Sequence, residues 1–155
     1  MSPAVQSAGI LTFRRTPAGL EVMLVHPGGP FWARRDAGVW SVPKGLFDPE
    51  TERPLDAANR EFTEETGFTA CGPFLDLGTL TQKSGKVIHA FGAEGDFDVS
   101  ISVSNTFEME WPKGSGRMRA FPEVDRAEWF AIPQAREKVL PGQARFLDRL
   151  LEAVG

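Results

Sequence analysis

The sequence of 155 residues has a single cysteine, Cys71, and no tyrosine. One thiol cannot form an intramolecular disulfide, so the cysteine content gives no sign of an oxidising compartment. Long apolar runs are also missing. No segment approaches the ~20 apolar residues that a membrane-spanning helix needs, and the first residues lack a basic region followed by an apolar stretch. We therefore expect a soluble, cytoplasmic protein without a membrane partner.

An excess of positive charge is absent as well. Lys and Arg total 17 against 21 Asp and Glu, which gives a net charge of −4. General binding to a nucleic-acid backbone needs clustered basic residues, so we expect no nucleic-acid partner. The net charge does not exclude a small phosphorylated ligand that is bound by a few local cationic side chains. With 41% hydrophobic residues the chain suits one domain with a core, and we expect residues 1–155 to form a single domain.

A strongly acidic helix is predicted to run from Pro54 to a stop at Gly67, because proline is favoured in a first helical turn and glycine after the last. Glu61, Glu64 and Glu65 stand at positions i, i+3 and i+4, so their carboxylates share one patch of the helix. Two carboxylates about 6 Å apart repel by roughly 3 kcal/mol at an effective dielectric of ~20, so a buried cluster needs a counter-ion. A solvated helix face is the alternative.

Oxygen ligands of this kind favour a hard divalent cation. No His or Cys stands beside the three glutamates to offer softer ligation, and the nearest cysteine in sequence is Cys71. Mg²⁺ or Mn²⁺ is therefore favoured over zinc.

The residues around the helix resemble the box of the Nudix hydrolase family. That box runs Gly, five residues, Glu, seven residues, then Arg-Glu-apolar-x-Glu-Glu-x-Gly-apolar. This chain has Gly45, six residues, Glu52, seven residues, and then REFTEETGF at 60–68. Every specified residue type is present. The departure is one extra residue between Gly45 and Glu52, which lengthens the loop and leaves the helical register unchanged.

The resemblance implies an α/β fold, the Nudix α/β/α sandwich with a mixed β-sheet between helices. It also implies that Glu61, Glu64 and Glu65 hold Mg²⁺ or Mn²⁺ with help from the Gly45 carbonyl. Arg60 would orient the carboxylates. This gives Arg60, Glu61 and Glu64 catalytic roles. An ordinary surface ion pair between Arg60 and Glu64 is the alternative for the arginine.

A distant glutamate completes the implied site. The segment 121–130, FPEVDRAEWF, is similar to the part of many Nudix enzymes where a glutamate precedes a strand that begins near a tryptophan. Glu123 is the candidate, as a further metal ligand or as the base that activates water. Glu108 and Glu110 on a predicted strand are the rival carboxylates, although solvent exposure explains their alternation.

Five residues are predicted to bind substrate. Trp32, Arg34 and Arg35 lie in a loop that could stack a base and meet phosphate, unless the tryptophan only covers the core edge. Lys44, directly before the box, could offer its ammonium to a phosphate oxygen. Arg117 follows a glycine-containing turn and could also hold phosphate.

The other segments are predicted to build a scaffold. Strands at 7–14 and 20–26 flank a Thr-Pro-Ala-Gly turn and are expected to pair as an antiparallel hairpin. A short strand is expected over 39–45. Further elements are expected as a second hairpin of strands at 74–82 and 86–92, and as two helices at 132–139 and 143–154.

The expected function is divalent-metal-dependent hydrolysis of a diphosphate linkage in a nucleoside diphosphate joined to another group, such as a nucleoside triphosphate or dinucleoside polyphosphate. Pro43-Lys44-Gly45 resembles diadenosine polyphosphate hydrolases, but those often use a tyrosine downstream of the box and this chain has none. The alternative is a catalytically inactive, Nudix-like module that senses a nucleotide. Loss of the arginine or of a helix glutamate would favour it, and neither is lost. Monomer and homodimer both stay open.

Overall fold

The computed structural model of the protein describes residues 5–155, which form eight strands, three α-helices and two short 3₁₀ turns. The strands are β1 (Gln6–Thr16), β2 (Gly19–Pro27), β3 (Lys44–Leu46), β4 (Leu75–Thr81), β5 (Val87–Glu94), β6 (Thr106–Glu110), β7 (Met118–Pro122) and β8 (Val124–Ala131). The helices are α1 (Pro54–Thr66), α2 (Ile132–Lys138) and α3 (Arg145–Val154), and the 3₁₀ turns are Val99–Ile101 and Pro141–Gln143.

The main sheet is mixed and is organised around β1. Its strand order is β4-β5-β1-β2-β8, with β3 also paired to β1. On one side, β1 runs parallel to β5. On the other side, its second half pairs antiparallel with β2 and its first half with β3. Strands β2 and β3 thus pair with different halves of β1 on the same side. Because β1 is a central strand, this pairing brings Lys44 and Gly45 to the centre of the sheet. Strands β6 and β7 form a separate hairpin.

Side chains alternate between the two faces of the sheet, as the period of two in a strand requires. Ile10 and Met23 are buried on the face that packs against α1. Leu11 and Leu24, each one residue further along, are buried on the face covered by α2 and α3. Both faces are thus covered by helices, and the predicted α/β/α sandwich with a mixed sheet is confirmed.

Helix α1 has the predicted bounds. Pro54 stands in its first turn, and Gly67 ends it in the left-handed conformation with φ 79°. The backbone N–H of Gly67 donates to the Thr63 carbonyl, which satisfies one acceptor of the last turn. Ala58 and Phe62 bury the apolar stripe against the sheet, so the helix cannot rotate without exposing it. This packing fixes which way the glutamates point.

The first two predicted hairpins, β1–β2 and β4–β5, are confirmed. The strand predicted over 39–45 is wrong, because only Lys44–Leu46 is a strand. Trp40 and Ser41 make isolated bridges to different neighbours, Val139 and Val25. Proline 43 follows, and proline has no N–H to continue a ladder. The last strand also begins earlier than predicted, at the residue after Glu123.

The three helices of residues 5–155 are all too short or too polar to pass through a bilayer.

Candidate active site

Arg60 on α1 is the centre of an ion-pair network with three glutamates. Its Nε and Nη2 donate to the two carboxylate oxygens of Glu52 at 2.9 and 2.8 Å. Nη1 donates to Glu61 Oε1 at 2.7 Å and lies 3.5 Å from Glu64 Oε1. The hydrogen bond from Arg60 lowers the pKa of Glu52. The surface pair with Glu64 is thus present as the longest contact of a network in which Arg60 also holds Glu52 bidentately and Glu61 at short range.

Glu61 lies against the backbone at Gly45. Its residue is 8% exposed, and a Cβ on Gly45 would come within 2.0 Å of Glu61 Oε2. Only glycine permits this approach, because any side chain at position 45 would displace the carboxylate. Burial raises the pKa of Glu61, and the nearby Glu64 adds to the effect, while the hydrogen bond from Arg60 opposes both.

Glu65 is the most strongly perturbed carboxylate. Its Oε1 accepts a hydrogen bond from the backbone N–H of Lys44 at 3.1 Å. Burial raises its pKa to about 8, and the negative charges of Glu123 and Glu61 act in the same direction. The charged form is therefore costly unless a cation lies beside it. Burial also lowers the pKa of Lys44, although Glu65 partly offsets that shift.

Glu123 is brought to the helix by a relay of backbone hydrogen bonds. Asn105 N donates to the Glu64 carbonyl at 2.8 Å, and Glu123 N donates to the Asn105 carbonyl at 2.9 Å. Gly28 N in turn donates to the Glu123 carbonyl at 2.8 Å. Residues distant in sequence are thus tied to the end of α1. As a result Glu123 is close enough to raise the pKa of both Glu61 and Glu65.

Three of these residues, Lys44, Glu65 and Glu123, line a cavity of about 240 Å³. Lys44, Glu65 and Glu123 form its charged side, and Trp32 and Pro27 belong to its apolar wall. A concave site with mostly apolar walls and a few convergent polar groups is typical of small-molecule sites.

Other predicted residues lie further out. The side chain of Glu64 is 40% exposed, at the outer side of the carboxylate cluster. Arg35 has its guanidinium 5.6 Å from the Trp32 ring. Arg34 and Arg117 are exposed and do not line the cavity. Their assignment to substrate stays a prediction.

The rival carboxylates lie on the separate hairpin. Glu108 and Glu110 are exposed on β6, and neither lines the cavity. Glu110 accepts a hydrogen bond from the Gly114 backbone within its own hairpin. The geometry therefore favours Glu123 as the carboxylate that joins those of α1.

The donor set suits a hard divalent cation. Carboxylates of Glu61, Glu65 and Glu123 influence one another electrostatically, and Gly45 leaves its backbone open to Glu61. Oxygen donors with this charge match Mg²⁺ or Mn²⁺. In residues 5–155 no three His, Cys, Asp or Glu side chains already converge as a metal cage, and two of the carboxylates accept hydrogen bonds from Arg60 and from the Lys44 N–H.

Part of the cavity wall had no local signal in the sequence. Val39 and Ser41 follow the Trp32 loop, Val124 begins β8, and Leu140 lies between α2 and the following 3₁₀ turn. Buried Gln143 holds this wall together, because its Oε1 accepts from Val42 N at 2.9 Å and its Nε2 donates to Ser41 Oγ at 3.0 Å. Only the tertiary fold brings such residues together.

The model of the NUDIX domain family matches residues 5–150. The chain therefore belongs to the NUDIX family, as the resemblance of its box indicated.

Solved structures share the fold at low sequence identity. The NUDIX domain of NrtR from Shewanella oneidensis, in complex with ADP ribose, superposes with a TM-score of 0.69 at 15% identity and covers 100% of this chain and 91% of that one. The Ap4A hydrolase of C. elegans gives a TM-score of 0.62 at 19% identity, with 97% and 98% covered. The MutT protein of Methanosarcina mazei Go1 gives 0.60 at 21% identity, with 97% and 95% covered.

A relative by sequence is an uncharacterised 17.7 kDa protein of Enterobacteria phage T4, from the e-segB intergenic region. It is 32% identical over 96 residues, which cover 58% of this chain and 64% of the phage protein. The match thus spans under two thirds of either protein.

Proposed function

We propose that the protein is a divalent-metal-dependent hydrolase that cleaves a diphosphate linkage in a nucleoside diphosphate joined to another group, a nucleoside triphosphate or a dinucleoside polyphosphate. The observation that carries this proposal is one cavity whose lining includes Glu65, Glu123 and Lys44 together with Trp32. Acidic groups for a metal, a cation for phosphate and an aromatic wall for a base thus face the same space. We further propose that residues 1–155 act as one domain.

The carboxylates of Glu61, Glu64, Glu65 and Glu123, with the Gly45 carbonyl, would hold the metal. Bound Mg²⁺ or Mn²⁺ would supply Lewis acidity at phosphate oxygens and a lowered pKa for an attacking water. Arg60 keeps Glu61 oriented through its 2.7 Å hydrogen bond. Glu123 serves either as a ligand or as the base that takes the proton from water, and both roles need its negative charge.

Lys44 is suited to meet the substrate phosphates. It is half-buried at the cavity, its backbone N–H holds Glu65, and its ammonium is the cationic group among the residues that line this space. Phosphoryl transfer depends mainly on positioning and on neutralising charge at the phosphate oxygens. A fixed ammonium beside the carboxylate cluster does both. The names of two structural neighbours, an ADP ribose complex and an Ap4A hydrolase, fit a nucleoside diphosphate derivative as ligand.

A panel of nucleoside triphosphates, dinucleoside polyphosphates and nucleotide sugars, incubated with the purified protein and Mg²⁺ or Mn²⁺, tests the proposal. We expect at least one compound to give two phosphorylated products, both identified by mass spectrometry, and EDTA to stop the reaction. Binding measured by calorimetry without any product would favour the nucleotide-sensing alternative. Turnover that survives EDTA would contradict the metal requirement.

The aromatic wall gives a second prediction. Replacing Trp32 with Ala should raise KM by about 10-fold and leave kcat within about twofold. A contact with the base stabilises the bound substrate and the transition state equally, so its loss weakens binding without slowing the chemical step. Stacking on an aromatic ring is worth about 1–3 kcal/mol per base, which covers that change. Steady-state kinetics with the fastest substrate of the panel measure both constants.

Phe31→Ala is the matched control for this tryptophan. Phe31 is the adjacent aromatic residue and 63% exposed, but its ring packs edge-on against Trp111 at 5.8 Å instead of lining the cavity. We expect its KM to stay near the wild-type value. Equal changes in the two variants, or no change at Trp32, would show that Trp32 is no part of the substrate site.

A further inference from the structure

His26 is a buried histidine that the proposed chemistry does not use. It is the residue before the last in β2, has 0% exposure, and packs edge-on against Trp40 with ring centroids 5.1 Å apart. Each of its ring nitrogens faces an oxygen acceptor. Nδ1 lies 2.9 Å from Asp125 Oδ1, and Nε2 lies 2.6 Å from the Arg35 carbonyl. Since a carbonyl oxygen only accepts, Nε2 donates to the Arg35 carbonyl, and Nδ1 and Asp125 Oδ1 share the second hydrogen bond.

A β-bulge places Asp125 within reach of this ring. Strands β2 and β8 pair regularly up to His26 opposite Arg126, and then Pro27 stands opposite Val124, so Asp125 is the additional residue. Bulges bend a strand and redirect a side chain, and they often occur next to active sites. Here the redirected residue follows Glu123 by two positions, and the backbone of Glu123 is bonded to Gly28, two positions after His26.

The second hydrogen bond of His26, to the Arg35 carbonyl, connects it to the turn that carries Trp32. Arg35, whose carbonyl it holds, belongs to the turn of Trp32, because Arg35 N donates to the Trp32 carbonyl at 2.9 Å. One imidazole thus connects the segment of Glu123 to the turn of Trp32. Both side chains line the cavity, and the ring lies behind them, outside its lining.

We propose that His26 is a positioning residue. It fixes the position of Glu123 through its hydrogen bond with Asp125, and the position of Trp32 through its hydrogen bond to the Arg35 carbonyl. This inference rests on the proposed function, in which Glu123 acts on the reacting groups and Trp32 on the bound base. Its two bonds then have separable consequences. Loss of the Asp125 bond should affect kcat, and loss of the Arg35 bond should affect KM.

Two amide variants separate the bonds. His26→Gln places an amide nitrogen near the position of Nε2 and keeps the donor to the Arg35 carbonyl, whereas His26→Asn places one near Nδ1 and keeps the donor to Asp125. We expect His26→Gln to lower kcat by about 10-fold or more with KM nearly unchanged, because small misplacement of a reacting group can cost up to about 10²-fold. We expect His26→Asn to raise KM about fivefold with kcat nearly unchanged. A change of this size is within the free energy that stacking of a base on Trp32 would contribute.

Asp125→Ala repeats the first test from the partner side. The side chain of Asp125 is 29% exposed, so water can take the place of its carboxylate beside His26 and the fold should survive its removal, while kcat should fall as in His26→Gln. His89→Asn is the matched control. His89 also contacts a carboxylate, Asp76 at 2.7 Å, but lies on β5 outside the cavity lining, and we expect both kinetic constants to stay unchanged.

The outcomes distinguish this inference from the proposed function. If the wild-type protein hydrolyses nothing in the panel, the proposed function fails. If it turns over substrate while Asp125→Ala keeps full kcat, His26 does not position Glu123. If both amide variants show the same fall in kcat and the same rise in KM, together with a lowered Tm, His26 only stabilises the core. That result would overturn the inference.

Discussion

Replacing Glu65 with Gln is expected to reduce kcat at least about 100-fold, the loss seen when one preorganised electrostatic contact is removed from an active site. The same change is expected to raise the Tm of the metal-free protein. Glu65 is half-buried, and the loss of solvent around its carboxyl raises its pKa to about 8, so its charge opposes folding when no cation is bound. Gln keeps the shape and the acceptor for the Lys44 N–H but carries no charge. The variant should therefore be more stable and inactive.

The dependence on pH follows from the same shift. A carboxyl whose pKa is raised from the usual 4.5 to about 8 on folding binds its proton more tightly in the folded state. Its stabilising contribution is therefore complete below pH 4.5 and is lost as the pH rises through about 8. In EDTA, the wild-type free energy of unfolding should fall over this range more steeply than that of Glu65→Gln. Saturating Mg²⁺ should restore wild-type stability and leave the variant almost unchanged.

Glu152→Gln is the matched control, because Glu152 is an exposed glutamate in α3 on the opposite face of the sheet. It should leave kcat, the EDTA melting curve and the Mg²⁺ response unaltered. A Glu65→Gln protein with full activity and a full Mg²⁺-dependent rise in Tm would remove Glu65 from the metal ligands.

The bounds of α1 were predictable because its signals are local. Pro54 and Gly67 mark the ends through their backbone preferences, and the apolar stripe repeats at the helical period. The hairpin β1–β2 was predictable for the same reason, since its turn lies between two strand-forming segments. The wrong strand over 39–45 shows the limit of such signals, because Trp40 and Ser41 bond to partners that are distant in sequence.

The site was predictable in type but not in detail. The box residues indicate carboxylates on one helix face, but only the sheet register places Lys44 opposite Gly9 and so beside Glu65. The helix pattern alone does not show that Glu65 loses enough solvent to raise its pKa to about 8, while the side chain of Glu64 stays 40% exposed. The role of Gly28 and the bonds of His26 depend on contacts between strands that no local pattern encodes.

Replacing Glu123 with Gln is expected to lower kcat by about 10²–10⁴-fold, the usual contribution of a positioned general base. The fold should survive, because the structure holds this residue through its backbone: its N–H donates to Asn105 and its carbonyl accepts from Gly28. Gln leaves both bonds in place, so Tm should change little. Removing a carboxylate near Glu61 and Glu65 also relieves repulsion in the metal-free state. A large kinetic loss without a loss of stability separates chemistry from packing.

Glu108→Gln and Glu110→Gln are the matched controls, since both carboxylates are exposed on β6 in the hairpin whose other strand, β7, ends directly before Glu123. Neither lines the cavity, so both variants should keep kcat within about twofold, as surface changes away from a site usually do. Single-turnover kinetics at saturating Mg²⁺ measure the chemical step for all three variants. If Glu123→Gln turns over at the wild-type rate while Glu108 or Glu110 proves indispensable, the distant carboxylate must be reassigned to β6. The hairpin would then have to close over the cavity during the reaction, because only such a movement could bring an exposed β6 carboxylate to the substrate.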